Sequence, residues 1–255
     1  MIKIGAIVAV NCDEDNIEYC LKGIYDFCDK IVVVYSDTNW TNEKKEDGTI
    51  EIIDKFPDPM NKLKVIKGSF ATQPGQRTVG LEYLREENYD YVFVVDSDEI
   101  YNPCNLLEAK SFIEQHKNVK QFRVNWCQMW KTLDYIITPI GKLFVIYKID
   151  DEFCFTGPSR NTSIHKKENF EFLPNVDCFH LTCACSDEHL KEKMKTRTYR
   201  NIIKKGWFEN VWLKWTFEMR DLHPTSPKVY EKAILFDKTR LPCFMKNHKF
   251  YGLKK

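Results

Sequence analysis

Four consecutive residues, Asp96, Ser97, Asp98 and Glu99, place three carboxylates directly after the apolar run 91–95. Acids gathered at the end of a buried strand repel one another unless a cation sits among them. Hard divalent ions such as Mg2+ or Mn2+ take carboxylate oxygens together with phosphate oxygens, so the chemistry to expect is a metal-held diphosphate. Strand alternation would put Asp96 and Asp98 on the same side. The competing reading is that the acids only cap the next turn. An isolated D-x-D triplet matches by accident, so the elements around it have to decide.

Those elements repeat in a regular order. An apolar strand over 2–10 precedes a helix over 14–28 whose Ile17, Cys20, Leu21, Ile24, Phe27 and Cys28 recur at helical spacing. A β-branched run over 31–35 reads as a strand covered on both faces. The polar stretch 38–48 leads into a short helix with Ile50, Ile52 and Ile53, then a strand over 63–66, a helix over 74–87 with proline in its first turn, and the strand 91–95. Four strands separated by helices imply an open, mostly parallel α/β sheet flanked by helices, and ligands of such sheets bind beyond the carboxyl ends of the strands. That topology gathers Asn11, Asp37 and the acids 96–99 on one rim. Further on, the pattern predicts a helix beyond Pro103 with Leu106, Leu107 and Ile113, strands at 122–126 and 143–147, and short strands and turns over 150–180. A basic helix opens at Ser186 and closes at Gly206, and terminal helices follow.

IGAIVAVNCDEDNIEYCLKGI at the start, IVVVYSDT at the second strand, PGQRTVGLEYL and YVFVVDSDEIY together resemble the GT-A glycosyltransferases, in particular the family-2-like enzymes, over about the first 115 residues. The resemblance implies a Rossmann-like GT-A fold with a mixed C-terminal acceptor-side region. Residues 1–115 would form the nucleotide-sugar half and 116–255 the acceptor-side half with C-terminal helices, in one catalytic domain. It implies a hexosyltransferase using Mn2+ or Mg2+, with a nucleotide-diphosphate sugar, a UDP-sugar foremost, as donor and a glycan, lipid-linked or protein acceptor. Inversion is the stereochemistry it favours. Val10, Asn11 and Asp13 would wall the base and ribose, and Asp37 would read the base, with Ser36 in place of the usual first acid. Arg77 would face the donor, Asp96 with neighbouring Ser97 would contact ribose or metal, and Asp98 would hold the metal. His180, on a returning strand, would be the third metal ligand, with His223 as substitute. Against these roles stand plain ones: Asn11 and Asp13 as helix caps, Asp37 as turn former, Arg77 as solvated helix residue, His180 as a satisfied core histidine.

For the base that takes the acceptor proton, Asp134, Asp151 and Glu152 are candidates. Asp134 comes first because Trp126, Trp130 and Tyr135 nearby could stack on sugar faces, although such aromatics are more often core. Cys178, His180, Cys183 and Cys185 have no second ligand pair at the separation structural zinc uses, so thiol packing is the default. The basic stretch Lys191, Lys193, Lys195, Arg197, Arg200, Lys204 and Lys205 reads as a solvated face, or else as a contact for diphosphate, an anionic acceptor or a membrane surface.

The chain has 255 residues with 43% hydrophobic and 29% charged content, enough for a full core. A net charge of +1 gives no overall pull toward nucleic acid. No run approaches the roughly 20 apolar residues of a transmembrane helix. Ten cysteines without an export signal point to reduced thiols in the cytoplasm. A nucleotidyltransferase would need a glycine-rich phosphate loop that GAIVAVNCDED does not supply. A haloacid-dehalogenase-type phosphatase would carry its D-x-D after the first strand, with Asp150 and Asp151 as metal ligands. A non-catalytic nucleotide-sugar-binding protein remains a third alternative.

Overall fold

The computed structural model describes residues 1–39, 43–44, 46–164, 169–196 and 200–253, so Arg197 of the basic stretch and part of the 38–48 loop lie outside the described residues. In chain order the elements are β1 (Ile4–Val10), α1 (Ile17–Ile24), β2 (Lys30–Ser36), α2 (Thr49–Asp54), β3 (Leu63–Gly68), α3 (Gln73–Glu86), β4 (Tyr91–Asp96) and β5 (Glu99–Tyr101). After these come α4 (Pro103–Gln115), β6 (Gln121–Trp130), β7 (Thr132–Thr138), β8 (Gly141–Lys148), β9 (Phe155–Gly157), β10 (Asn161–Thr162), β11 (Phe170–His180), α5 (Asp187–Thr196) and β12 (Lys232–Leu235). The chain forms two compact units, Met1–Val124 with Lys142–Asp177, and Asn125–Gly141 with Cys178–Lys255.

The first unit holds the α/β sheet that the sequence and its GT-A resemblance predict. Strands run in the order β3-β2-β1-β4, all parallel, with β8 antiparallel against β4. Strands β1, β2 and β4 are apolar without alternation because both faces are covered, as parallel sheets require. One face packs Ile7, Val32, Val34, Val92 and Val94 on Leu81 and Leu84 of α3 and on Tyr147, Phe153 and Phe155. Helix α3 comes close to the sheet because Gly80 lacks a side chain: a Cβ there would lie 3.0 Å from Ile7 and 3.2 Å from Val34. Thr72 starts that helix by accepting the Gly75 N–H at 3.2 Å, and Pro74 sits in its first turn.

The second unit is built on β7, with β12 antiparallel on one side and Met129 and Trp130 of β6 on the other. Its core is aromatic: Trp130, Tyr135, Trp207, Phe208, Trp212 and Tyr230 cluster with Cys183, Cys185 and Leu190. Ser186 opens α5 by accepting the His189 N–H at 3.1 Å, as its position predicts.

Several elements differ from expectation. The segment 170–180 is a single strand rather than short pieces. Pro174 and Asn175, the latter at φ 59°, mark an irregularity inside it that reads as a turn in the sequence. Strand β7 is announced by no turn residue, because the reversal before it is made by Lys131 at φ 63°. The terminal helices are replaced by β12 and short 3-10 and π turns, since Pro224, Pro227 and Pro242 leave no long helical stretch. Leu107, expected on the apolar face of α4, is 45% exposed.

Candidate active site

Register brings the site together. Pairing sets Ala9 beside Asp96 and Val10 beside Tyr35, so β1, β2 and β4 end level and their loops leave from one edge. The acids do not continue as an alternating strand. Ser97 and Asp98 form a tight turn between β4 and β5, and Glu99 Oε2 accepts the Asp96 N–H at 3.2 Å across it. The shared side expected from alternation is therefore replaced by a turn. Asp13 joins from the β1–α1 loop, where its Oδ2 accepts the Ser97 hydroxyl at 2.6 Å and its Oδ1 accepts the Asn16 amide at 2.6 Å. Its backbone N–H is fixed by Thr49 Oγ1 at 2.7 Å. Asp13 does not cap α1 with its side chain; its carbonyl instead takes the N–H groups of Asn16 and Ile17.

Two arginines compensate the acids. Arg77 of α3, only 1% exposed rather than solvated, donates from Nη2 to Asp96 Oδ1 at 2.5 Å, while its Nε and Nη1 have no hydrogen-bond partner. Arg160 lies in the turn between β9 and β10, where it and Ser159 both have positive φ (61° and 56°). Left-handed backbone at non-glycine residues costs of order 1 kcal/mol each, which the guanidinium's ion pairs offset. Those pairs are with buried Glu99, in direct contact, and with Asp96 Oδ2 at 3.5 Å. Burial pushes the Asp96 carboxyl up, but Arg77 and Arg160 outweigh burial and the like charge of Asp98, and hold it below the usual carboxylate range.

Cys20, whose thiol lies 3.7 Å from the Asp96 carbonyl oxygen, feels the charge of the same acids. Burial pushes its thiol well up, and the charges of Glu99, Asp13, Asp98 and Asp96 push it further. The thiol therefore stays protonated. Among the described residues, Asp13, Asp96, Asp98 and Glu99 gather at this edge with Arg77 and Arg160. Hard oxygen donors of this kind fit Mg2+ or Mn2+. Among the described residues no group of three or more His, Cys, Asp or Glu is arranged to hold a metal on protein ligands alone.

The neighbouring loops are equally tied. Asn11 Nδ2 donates to the Ser36 carbonyl at 2.7 Å, linking the ends of β1 and β2. Gln76, which sequence reading did not single out, spans the same ends from α3, donating to the carbonyls of Val10 at 3.0 Å and Val34 at 2.7 Å. Asp37 is half-buried, accepts the Ser69 hydroxyl at 2.5 Å and donates its N–H to Gly68.

In the second unit, His180 ends β11. Its Nδ1 lies 2.7 Å from Gln128 Oε1, whose amide nitrogen is spent on the carbonyls of Met129 and His180. Nδ1 is thus the donor in that pair. His223 Nδ1 instead accepts the N–H groups of Thr225 and Ser226. Asp134 is 8% exposed, in direct contact with the Lys238 ammonium, and bonded to Thr132 at its side chain (3.3 Å) and backbone N–H (3.1 Å). A carboxylate so engaged has to leave the lysine before it can accept a proton. Trp130 and Tyr135 are core, whereas Trp126 is half-buried with its ring 5.4 Å from that of His180. Asp151 and Glu152 are exposed.

No protein-family model matches the chain, and no curated protein matches its sequence. Among solved structures, S. aureus TarS 1-349 in complex with UDP-GlcNAc is similar at 19% identity and a TM-score of 0.48, covering 76% of this chain and 65% of that one. The mannosyltransferase PcManGT from Pyrobaculum calidifontis, in complex with GDP-Man and Mn2+, is similar at 18% identity and TM-score 0.37, over 47% of this chain and 34% of that one. Glucosyl-3-phosphoglycerate synthase from Mycobacterium tuberculosis, in complex with Mn2+, UDP and phosphoglyceric acid, is similar at 14% identity and TM-score 0.37, over 49% and 43%. The chain spans 64% of TarS 1-349 and 38% of TarS.

Proposed function

We propose that the chain is a metal-dependent glycosyltransferase that moves a hexose from a nucleotide-diphosphate donor, a UDP-sugar foremost, to an acceptor hydroxyl, with inversion. The observation that carries this reading is the gathering of Asp13, Asp96, Asp98 and Glu99 with Arg77 and Arg160 at the carboxyl edge of a parallel sheet. It agrees with the sequence resemblance, whose motif residues are the ones gathered there. Residues 1–115 would be the donor half and 116–255 the acceptor-side half of one catalytic domain, working in the cytoplasm on a glycan, lipid-linked or protein acceptor.

In this reaction the acceptor oxygen bonds to the donor's anomeric carbon and the nucleoside diphosphate leaves. Asp98 and Asp96 would hold Mn2+ or Mg2+, which when bound offsets charge on the leaving diphosphate. Val10, Asn11 and Asp13 would form the wall for base and ribose. Their positions are fixed before any ligand arrives, because Thr49, Ser97, Ser36 and Gln76 already bond the loop, and such preorganisation is what orients a donor. Asp37 would read the base from the end of β2. Arg77 would keep Asp96 ionised and add a fixed positive charge on the donor side. Asp134 would act as base only after release from Lys238.

A thermal-shift panel of UDP-, GDP-, CMP- and dTDP-sugars with and without Mn2+ tests the reading. One nucleotide class should stabilise the chain, and only with metal. Release of phosphate from phosphomonoesters without nucleotide preference would instead indicate a phosphatase. Tight nucleotide binding without transfer or donor hydrolysis would indicate a binding protein.

A further inference from the structure

The transfer reaction makes no use of a row of four rings in the second unit. Trp126 of β6 lies 5.4 Å between ring centroids from His180, at the end of β11, and 6.4 Å from Tyr230, and Tyr230 meets His223 edge-on at 4.5 Å. Gln128 fixes the middle of this row. Its Oε1 accepts from His180 Nδ1 at 2.7 Å and from the Tyr230 hydroxyl at 3.2 Å, while its Nε2 donates to the carbonyls of Met129 at 2.9 Å and His180 at 3.2 Å. Gln128 is buried, so its whole amide is spent on holding these groups. Gly141 lets the start of β8 approach the indole: a Cβ there would lie 3.0 Å from Trp126 Cε3.

The row borders the aromatic core, to which Tyr230 belongs and on which Trp126 packs. Core packing alone does not account for it. Trp130, Trp207 and Trp212 are fully buried, whereas Trp126, His180 and His223 are all half-buried. Trp215, also half-buried, is spent on the rings of Trp130, Tyr135 and Phe217. Apolar packing needs no polar ring edges, and burying them costs free energy unless each is hydrogen-bonded. A buried amide that orients an imidazole and a phenol is the support a recognition surface requires, because it locks the side chains before a ligand arrives.

We propose that this row binds a pyranose. A sugar ring presents a face of C–H groups, which the electron-rich face of an indole attracts, and a rim of hydroxyls, which imidazole groups can bond. Trp126 would carry the C–H face, His180 and His223 would bond hydroxyls, and Tyr230 with Gln128 would hold His180 in place. A planar base is the poorer occupant. The His180 and Tyr230 rings stand at 40° and 52° to the indole, so they form no parallel slot with it. Binding of a pyranose does not depend on the transferase reading; its role as the acceptor, which would narrow the acceptor to a sugar hydroxyl, rests on that reading.

The test is saturation-transfer difference NMR on the full chain, without nucleotide or metal, using the methyl glycosides of glucose, galactose, mannose and N-acetylglucosamine, with sorbitol as an open-chain control. At least one pyranoside should take up saturation at its ring protons, and sorbitol should not. Trp126→Ala should weaken that glycoside at least about tenfold, the scale of a lost aromatic anchor. Trp126→Phe keeps a ring, so it should stay folded and weaken binding less, and Trp215→Phe should leave binding unchanged. No signal from any pyranoside, equal signal from sorbitol, or equal weakening by Trp215→Phe would overturn the proposal. So would undiminished binding by Trp126→Ala or, should that variant not fold, by Trp126→Phe. Pyranoside binding beside a failed nucleotide panel would keep the site and remove its acceptor role, whereas a successful panel with no pyranoside bound would remove the site and leave the donor reading.

Discussion

Asp96 is flanked by guanidiniums from two directions, and this alters what the acids beside it can do. The motif Asp96-Ser97-Asp98-Glu99 is legible in the sequence because its members are adjacent and follow an apolar run. Arg160 is not, since it lies 61 residues from Glu99 and inside a Gly-Pro turn segment that looks like ordinary loop. Its burial at 4% beside Glu99 at 2% makes the pair a structural necessity of the site. Removing one member strands the other charge in the interior. Arg160→Ala should therefore lower the unfolding free energy by about 3 kcal/mol in urea denaturation. Combining it with Glu99→Gln should cost less than the two single changes added together. A loss below about 0.5 kcal/mol for Arg160→Ala, the range of an ordinary surface change, would mean that the pair does not hold the turn.

At the level of elements, the turn into β3 rests on one carboxylate. Asp58 accepts the Tyr25 hydroxyl at 2.6 Å and the N–H groups of Lys62 at 2.7 Å and Leu63 at 2.9 Å. Burial acts to raise its pKa, but these donors outweigh it and hold Asp58 below its ordinary value. A depressed carboxylate binds fewer protons folded than unfolded. Its stabilisation is complete above the ordinary aspartate pKa and is lost as pH falls through the lowered one. Asp58→Asn should cost about 1 kcal/mol at neutral pH, and the gap to the unmodified chain should close in strong acid. Unfolding curves at neutral and acidic pH check this; a gap that stays constant with pH would contradict it. The elements that frame the site were readable because β1, β2 and β4 are unbroken apolar runs, α1 repeats at helical spacing and α3 opens on Pro74. Strands β7 and β12 and the continuity of β11 were not, because Lys131 turns the chain without a glycine, Pro174 interrupts an otherwise continuous strand, and prolines obscure the C-terminal order.

For the whole molecule, composition was a poor guide where it averaged over both units. A net charge of +1 describes neither the acid-rich first unit nor the basic second one. The α/β class and the parallel direction of the first four strands followed from the sequence because each strand–helix repeat implies a crossover. The second unit was less readable, since its core joins Trp130 to Trp207 and Trp212 from a distant part of the chain, with no common period. Among the described residues no helix is long and apolar enough to cross a membrane. Calorimetric titration of UDP into the chain with and without Mn2+, repeated on Asp98→Ala, decides whether the acids after β4 hold a cation against a diphosphate. UDP should bind at least about tenfold more tightly with Mn2+, a coupling of about 1.4 kcal/mol, and Asp98→Ala should abolish that gain while leaving the unfolding transition in place. Equal UDP affinity with and without metal, or a full metal-dependent gain in Asp98→Ala, would contradict the assignment.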